Sequence, residues 1–291
     1  MTLGWPRWAN WRVAAIAAAF CLTLAYAPPA QADARRQTAA IMKDAGLAHS
    51  FGQLQGALQN AFVANFRNVS RDVQEKAAKA MDETFSQAAL LATARAAFEQ
   101  AHHPTHATAV TTFHNSPLGK RLTAARAALR TPEGEKDFHA FIRTAKENQP
   151  FVERHRMVAE FLEEYPLVEN TLGIQAALMV SVLLGAEVYK NGAVTLTDVE
   201  IRQLQSSLIG QNLQEVGNFM AAQIAYSYRD LSTDEIREVF AFQRGPAGRW
   251  LFETTINASL EAIGVAGETF QAQMLGLRDP NRMELALPPA R

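Results

Sequence analysis

Residues 232–251 read STDEIREVFAFQRGPAGRWL, and this stretch decides the fold. Ser232 with Glu235 makes a capping box, in which each side chain satisfies a free backbone N–H at the head of a helix. Ile236, Val239 and Phe240, with Phe242 beside them, return along one side at the spacing of a helix. Gly245-Pro246 ends that run, because a proline ring inside a helix removes a hydrogen bond and collides with the preceding turn. Pro246 equally suits the first turn of a following helix, where its missing N–H costs nothing. Gly248 removes a side chain where two helices are to cross closely, and Leu251 turns back toward the core. The expected unit is helix, bend, helix.

The same grammar occurs once more. Residues 110–122 read VTTFHNSPLGKRL, and a shift of 129 positions lays them on residues 239–251, VFAFQRGPAGRWL. Val110 then meets Val239, Phe113 meets Phe242, Pro117 meets Pro246, Gly119 meets Gly248 and Leu122 meets Leu251. Lys120 meets Arg249 with the charge kept. Background residue frequencies give about one identity in such a window, against five found. The chain is therefore expected to hold two copies of one unit. The first covers 33–129, a connector covers 130–150, the second covers 151–270, and a disordered tail with Pro280, Pro288 and Pro289 covers 271–291. The period is too long for a solenoid, whose repeats span roughly 20 to 50 residues.

Helical spacing runs through the remainder. Phe51, Leu54, Leu58, Phe62 and Phe66 share a face. So do Ile201, Leu204, Leu208 and Ile209, and then Leu213, Val216, Met220 and Ile224. Ser50 with Gln53 and Thr197 with Glu200 fit further capping boxes, and Thr131-Pro132-Glu133 puts proline at a first helical position. No alternating strand pattern stands out. The class is all-α, with about ten to twelve helices of ordinary length. Leu172–Tyr189, LGIQAALMVSVLLGAEVY, is apolar enough to suggest a membrane helix, but it carries Gln175 and Glu187 and is short of a full span. A buried central helix is the expected reading, with an apolar partner surface as the other soluble one.

The N-terminus indicates export. Residues 1–12 carry Arg7 and Arg12 and no acid, Val13–Tyr26 is apolar, and Ala30-Gln31-Ala32 is a small-x-small cleavage signature, so a cut before Asp33 is expected. The alternative is an N-terminal membrane anchor. Cleavage leaves 259 of the 291 residues and moves the formal charge from -1 to -3, because only Arg7 and Arg12 leave with the segment. Cys21 leaves too, which removes disulfides, a thiol nucleophile and thiolate metal sites from the mature chain. That charge balance provides no footprint for nucleic acid or anionic lipid. The expected location is periplasmic or secreted, with no membrane span in the mature chain.

The Ser-Thr-Asp-Glu helix start followed by Phe-x-x-x-Pro-x-Gly-(Lys/Arg) resembles the domain-of-unknown-function 2059 family, small helical domains of exported bacterial proteins. Leu231–Ile263 carries the resemblance best. The first copy departs from it, since Pro104-Thr105-His106 stands where Thr233-Asp234-Glu235 stands. The resemblance implies an all-α envelope domain and assigns no activity and no catalytic residue.

Reaction chemistry is not recognisable. Gly-x-Ser-x-Gly, His-Glu-x-x-His, phosphate-loop and dinucleotide motifs are absent from the sequence. His102, His103 and His106 with Glu99 provide one Glu-x-x-His, where a di-iron bundle needs two on separate helices. Glu160, Glu163, Glu164 and Glu169 could be paired carboxylates for glycoside cleavage, but on one helix with Arg154 and Arg156 nearby they read as a solvated face. The expectation is a non-enzymatic binding or structural protein without cofactor or metal, whose partner is a protein or an apolar ligand. The alternative is a cell-wall-directed hydrolase with two carboxylates about 5 to 10 Å apart in a cleft. The candidate interaction surface is Trp250, Arg249 and Lys120. Trp250 falls opposite Arg121, a residue type rarely fully buried, which puts position 250 at the margin of the core. Phe113, Pro117, Gly119, Leu122, Phe242, Pro246, Gly248 and Leu251 are expected to be structural, with both phenylalanines and both leucines largely buried.

Overall fold

A computed structural model describes residues 29–278. The chain forms α1 (Pro29–Ala45), α2 (Leu47–Phe66), α3 (Arg71–Thr84), α4 (Gln87–Gln100), α5 (Pro104–Asn115), α6 (Pro117–Leu129), α7 (Pro132–Ile142), a 3-10 turn (Ala145–Glu147), α8 (Gln149–Glu164), α9 (Leu167–Asn191), α10 (Asp198–Ser227), α11 (Thr233–Arg244) and α12 (Pro246–Gly276). No strand occurs among the described residues, and the fold is all-α. The apolar run Val13–Tyr26, on which the expectation of export rests, lies outside the described residues.

Local chemistry accounts for most of the helix boundaries. The capping boxes at Thr197 and Ser232 both close: each backbone N–H donates to the glutamate three residues on, at 2.8 Å and 2.9 Å. Those hydrogen bonds hold the Glu200 and Glu235 carboxyls below their ordinary range. Pro132 is the first residue of α7, where Thr131 caps Gly134 at 3.0 Å. The expected box at Ser50 does not form. Gly46, at φ 78°, ends α1 in the left-handed region that glycine adopts without strain, and α2 restarts at once without a side-chain cap. Ser50 lies inside α2, with its hydroxyl on the Gly46 carbonyl.

The buried side chains gather into two cores. The first is built from α1 to α5, with Leu178, Val182 and Ala186 of α9 and Ala258, Ala262, Ile263, Ala266, Phe270 and Met274 of α12. The second is built from Leu118 and Leu122 of α6, Phe138 of α7, α8, Val168 and Leu172 of α9, the end of α10, and α11. At Pro117 the chain therefore passes from the first core to the second, and at Pro246 it passes back. Helix α9 runs through both, so the apolar stretch is a shared central helix. It is also the one helix among the described residues long and apolar enough to cross a membrane.

This exchange redraws the units read from the sequence. The connector 130–150 contains α7, and its Phe138 is 1% exposed within the second core. The expected tail begins too early, because α12 continues to Gly276 and Met274 is fully buried. Shifted by 129, residues 117–147 fall on 246–276, so α12 stands opposite α6, α7 and the 3-10 turn taken together. Phe141 falls on Phe270. Phe141 packs against Phe151 and Tyr226 on one side of the molecule, and Phe270 against Phe66 and Phe85 on the other.

Candidate functional site at the paired helix bends

The two bends share one local geometry. Ser116 joins α5 to α6 at φ -64°, ψ 160°, and Gly245 joins α11 to α12 at φ -72°, ψ 166°. Proline follows as the first residue of each new helix. Ser116 adds a cap, accepting from the Gly119 N–H at 3.0 Å. Gly119 and Gly248 are required by close approach. A Cβ at Gly119 would stand 2.7 Å from Cα of His114, and one at Gly248 2.6 Å from Cα of Gln243. In both cases the Phe carbonyl one residue earlier is nearer still.

The bends meet through the rings that the 129-residue shift aligns. Phe113 and Phe242 stack at 3.9 Å between centroids and 4° between planes. To one side, Arg121 forms an ion pair with Glu235. To the other, the Trp250 indole N–H donates to the Ala101 carbonyl at 3.1 Å, with the His106 ring 6.1 Å away. Under the 129-residue shift Arg121 stands on Trp250 and His106 on Glu235. The two contacts are therefore one contact made reciprocally, once as an ion pair and once as a tilted aromatic pair. Leu122 is 4% exposed, but Leu251, Phe113 and Phe242 are only half-buried, because the bends face one another across the boundary of the two cores.

The candidate surface residues separate. Trp250 is half-buried and engaged within the chain. Arg249 is exposed beside Tyr165, whose phenol is pushed up to about 12 by burial and then by Glu253, with Arg249 opposing. Lys120 lines a groove of about 330 Å³ with Asp44, His114, Asn115, Thr123, Ala124 and Ala127. His114 is the unusual group there. Its side chain is 12% exposed, and Nδ1 is buried without a hydrogen bond, although Asp44 Oδ2 is 3.4 Å away. Burial holds its pKa below the ordinary histidine value; Asp44 opposes that and Arg126 adds to it. Gln243, the counterpart of His114 at the second bend, also carries a buried unpaired atom, Oε1. A polar atom without a partner thus sits behind each bend.

The remaining constellations are absorbed elsewhere. His103 caps α5, accepting from the His106 N–H at 3.4 Å, and the two rings stack at 4.1 Å. His102 Nδ1 lies 3.5 Å from the Thr38 hydroxyl, and Glu99 is shared by Arg35 and Arg95. No three such groups come together to hold a metal among the described residues. Glu160 pairs with Arg156 at 3.7 Å and Glu164 with Arg244 at 2.6 Å, all on the surface.

Asp44, His114, Arg126 and Arg130 did not figure in the sequence reading. A signal for two of them was present, because residues 117–130 hold Lys120, Arg121, Arg126 and Arg130 and no acid. Asp44 and His114 meet only through packing of α1 on α5. Comparison of the chain with protein-family models, with curated proteins and with solved structures finds no match in any of the three.

Proposed function

We propose that the protein is an exported, non-catalytic helical protein that binds a ligand in the groove beside its first bend. The observation that carries this reading is His114, a nearly buried imidazole whose Nδ1 has no hydrogen bond and which lines a groove with Lys120 and Thr123. A buried polar atom left weakly paired costs about 1 to 3 kcal/mol, and the groove beside it offers a ligand Lys120, Asp44 and the Thr123 hydroxyl as polar partners. Export rests on the charged start, the apolar run and Ala30-Gln31-Ala32. The matched bends support duplication of an ancestral helical unit, in keeping with the resemblance to the domain-of-unknown-function 2059 family. Two groups poised for proton transfer would favour the hydrolase reading instead, but Glu160 and Glu164 of α8 face solvent in ion pairs and Glu169 stands on α9.

The test is native mass spectrometry of the mature chain recovered from the envelope fraction. A bound species that is lost from His114→Leu but retained by Arg237→Ala is expected. A bound species retained equally by both variants would reject the groove, and Met1 intact in envelope material would reject export.

A further inference from the structure

We propose that the face of α6 against the α1–α2 joint takes a small organic anion with two acidic groups, phosphate or carboxylate, laid along α6 from Lys120 toward Arg130. This rests on the binding reading above and adds the charge and shape of the ligand. Four cations and no acid occupy residues 117–130. Arg121 is taken by Glu235. Lys120, Arg126 and Arg130 have no ion-pair partner among the described residues, and they are exposed or half-exposed.

Their placement is ordered. Lys120, Thr123, Ala124 and Ala127 line the groove, three or four residues apart, and so share one face of α6. Arg130 extends that face by one more step. The two alanines leave the middle low, and ten residues of helix separate the end cations by about 15 Å of rise. The Arg130 guanidinium lies against Gly46 at the α1–α2 joint, in the space that a Cβ there would need.

The cations also crowd one another. Arg130 is lowered by burial and then by Arg126, and His49 of α2 is lowered by burial and then by Arg130. Asp44 is the one carboxylate lining the groove and Lys120 the one cation lining it, with Arg126 close enough to His114 to help lower its pKa. An imidazole N–H can donate to an acidic oxygen in either protonation state, and the Thr123 hydroxyl can do the same. An anion would relieve the mutual repulsion of Lys120, Arg126 and Arg130.

The test follows the His114 ring signals by NMR in the mature chain, assigned by their loss in His114→Gln. Tripolyphosphate and citrate are the anionic probes for the two acid types, sucrose the neutral probe and spermidine the cationic one. A saturable shift of His114 with either anion below about 10 mM is expected, weakened about tenfold or more in Lys120→Ala/Arg126→Ala and unchanged in the charge-matched Lys190→Ala/Arg202→Ala. Equal weakening in both double variants would overturn the site in favour of diffuse counter-ion binding. A His114 shift with sucrose or spermidine but with neither anion would overturn the charge of the ligand and leave the binding reading standing. No shift with any probe would overturn both.

Discussion

Replacing Phe113 and Phe242 by alanine, singly and together, measures whether the two bends bear on each other. Full truncation of a buried phenylalanine costs about 3 to 5 kcal/mol. Both rings are half-buried, so each single change should cost about 2 kcal/mol. Aromatic pairs contribute about 0.5 to 1.5 kcal/mol beyond the area they bury, and a parallel stack at 3.9 Å belongs in that range. The double variant should therefore lose about 3 kcal/mol rather than the 4 expected from independent sites. In a chain of this size 1 kcal/mol moves the melting temperature by roughly 2 to 4 °C. Urea unfolding followed by circular dichroism gives the energies. Trp250, the single tryptophan from Asp33 onward, reports on the junction in a chain that begins there. Because the rings join two cores, the double variant should also show fluorescence and dichroism transitions that no longer coincide. Additivity within about 0.3 kcal/mol, with coincident transitions, would refute the coupling of the bends.

Gly119→Ala and Gly248→Ala should each destabilise by about 1 to 3 kcal/mol, since the added methyl meets backbone. Gly210→Ala, in open space on α10, should stabilise by about 0.5 to 1 kcal/mol, and a common sign for all three in urea unfolding would contradict the close crossing. His114 has a folded-state pKa below its unfolded value, so the unfolded chain binds the proton more readily. Its contribution is full above the ordinary histidine value of 6.5 and is lost as pH falls below it; His114→Gln should flatten the stability profile in that window, and an unchanged slope would remove His114 as its source. Trp250 emission should be intermediate in wavelength and partly quenched by acrylamide, whereas a blue, unquenched band would place the indole deep in the core. Envelope material should begin at Asp33 by N-terminal sequencing.

What the sequence made legible was local. Ser232, Glu235, Pro246 and Gly248 act through neighbours a few residues away, and their roles at the second bend follow from residue chemistry alone. Leu251 shows where that stops. Its pattern marks a buried face, but its exposure depends on lying at the junction of two cores, and amphipathic spacing says which side is covered without saying by what. The same gap hid the exchange of helices. Nothing in PLGKRLTAARAAL tells α6 to join the core that α11 occupies. The groove was half visible, because the acid-free run of α6 is plain in the sequence, whereas Asp44 and His114 are 70 positions apart and meet only in the folded chain.

The return of α12 has a consequence for how the chain is made. Thr84 bonds to Gln273 across 189 residues, and Phe270 fills the space between Phe66 and Phe85. The first five helices thus wait for a strut that is synthesised almost last. Contacts so distant along the chain form slowly, because the intervening loop must be closed before they stabilise anything. A polypeptide exported as proposed above would have to stay unfolded on the inner side of a secretion channel. This architecture postpones its own completion until nearly the whole chain has been made.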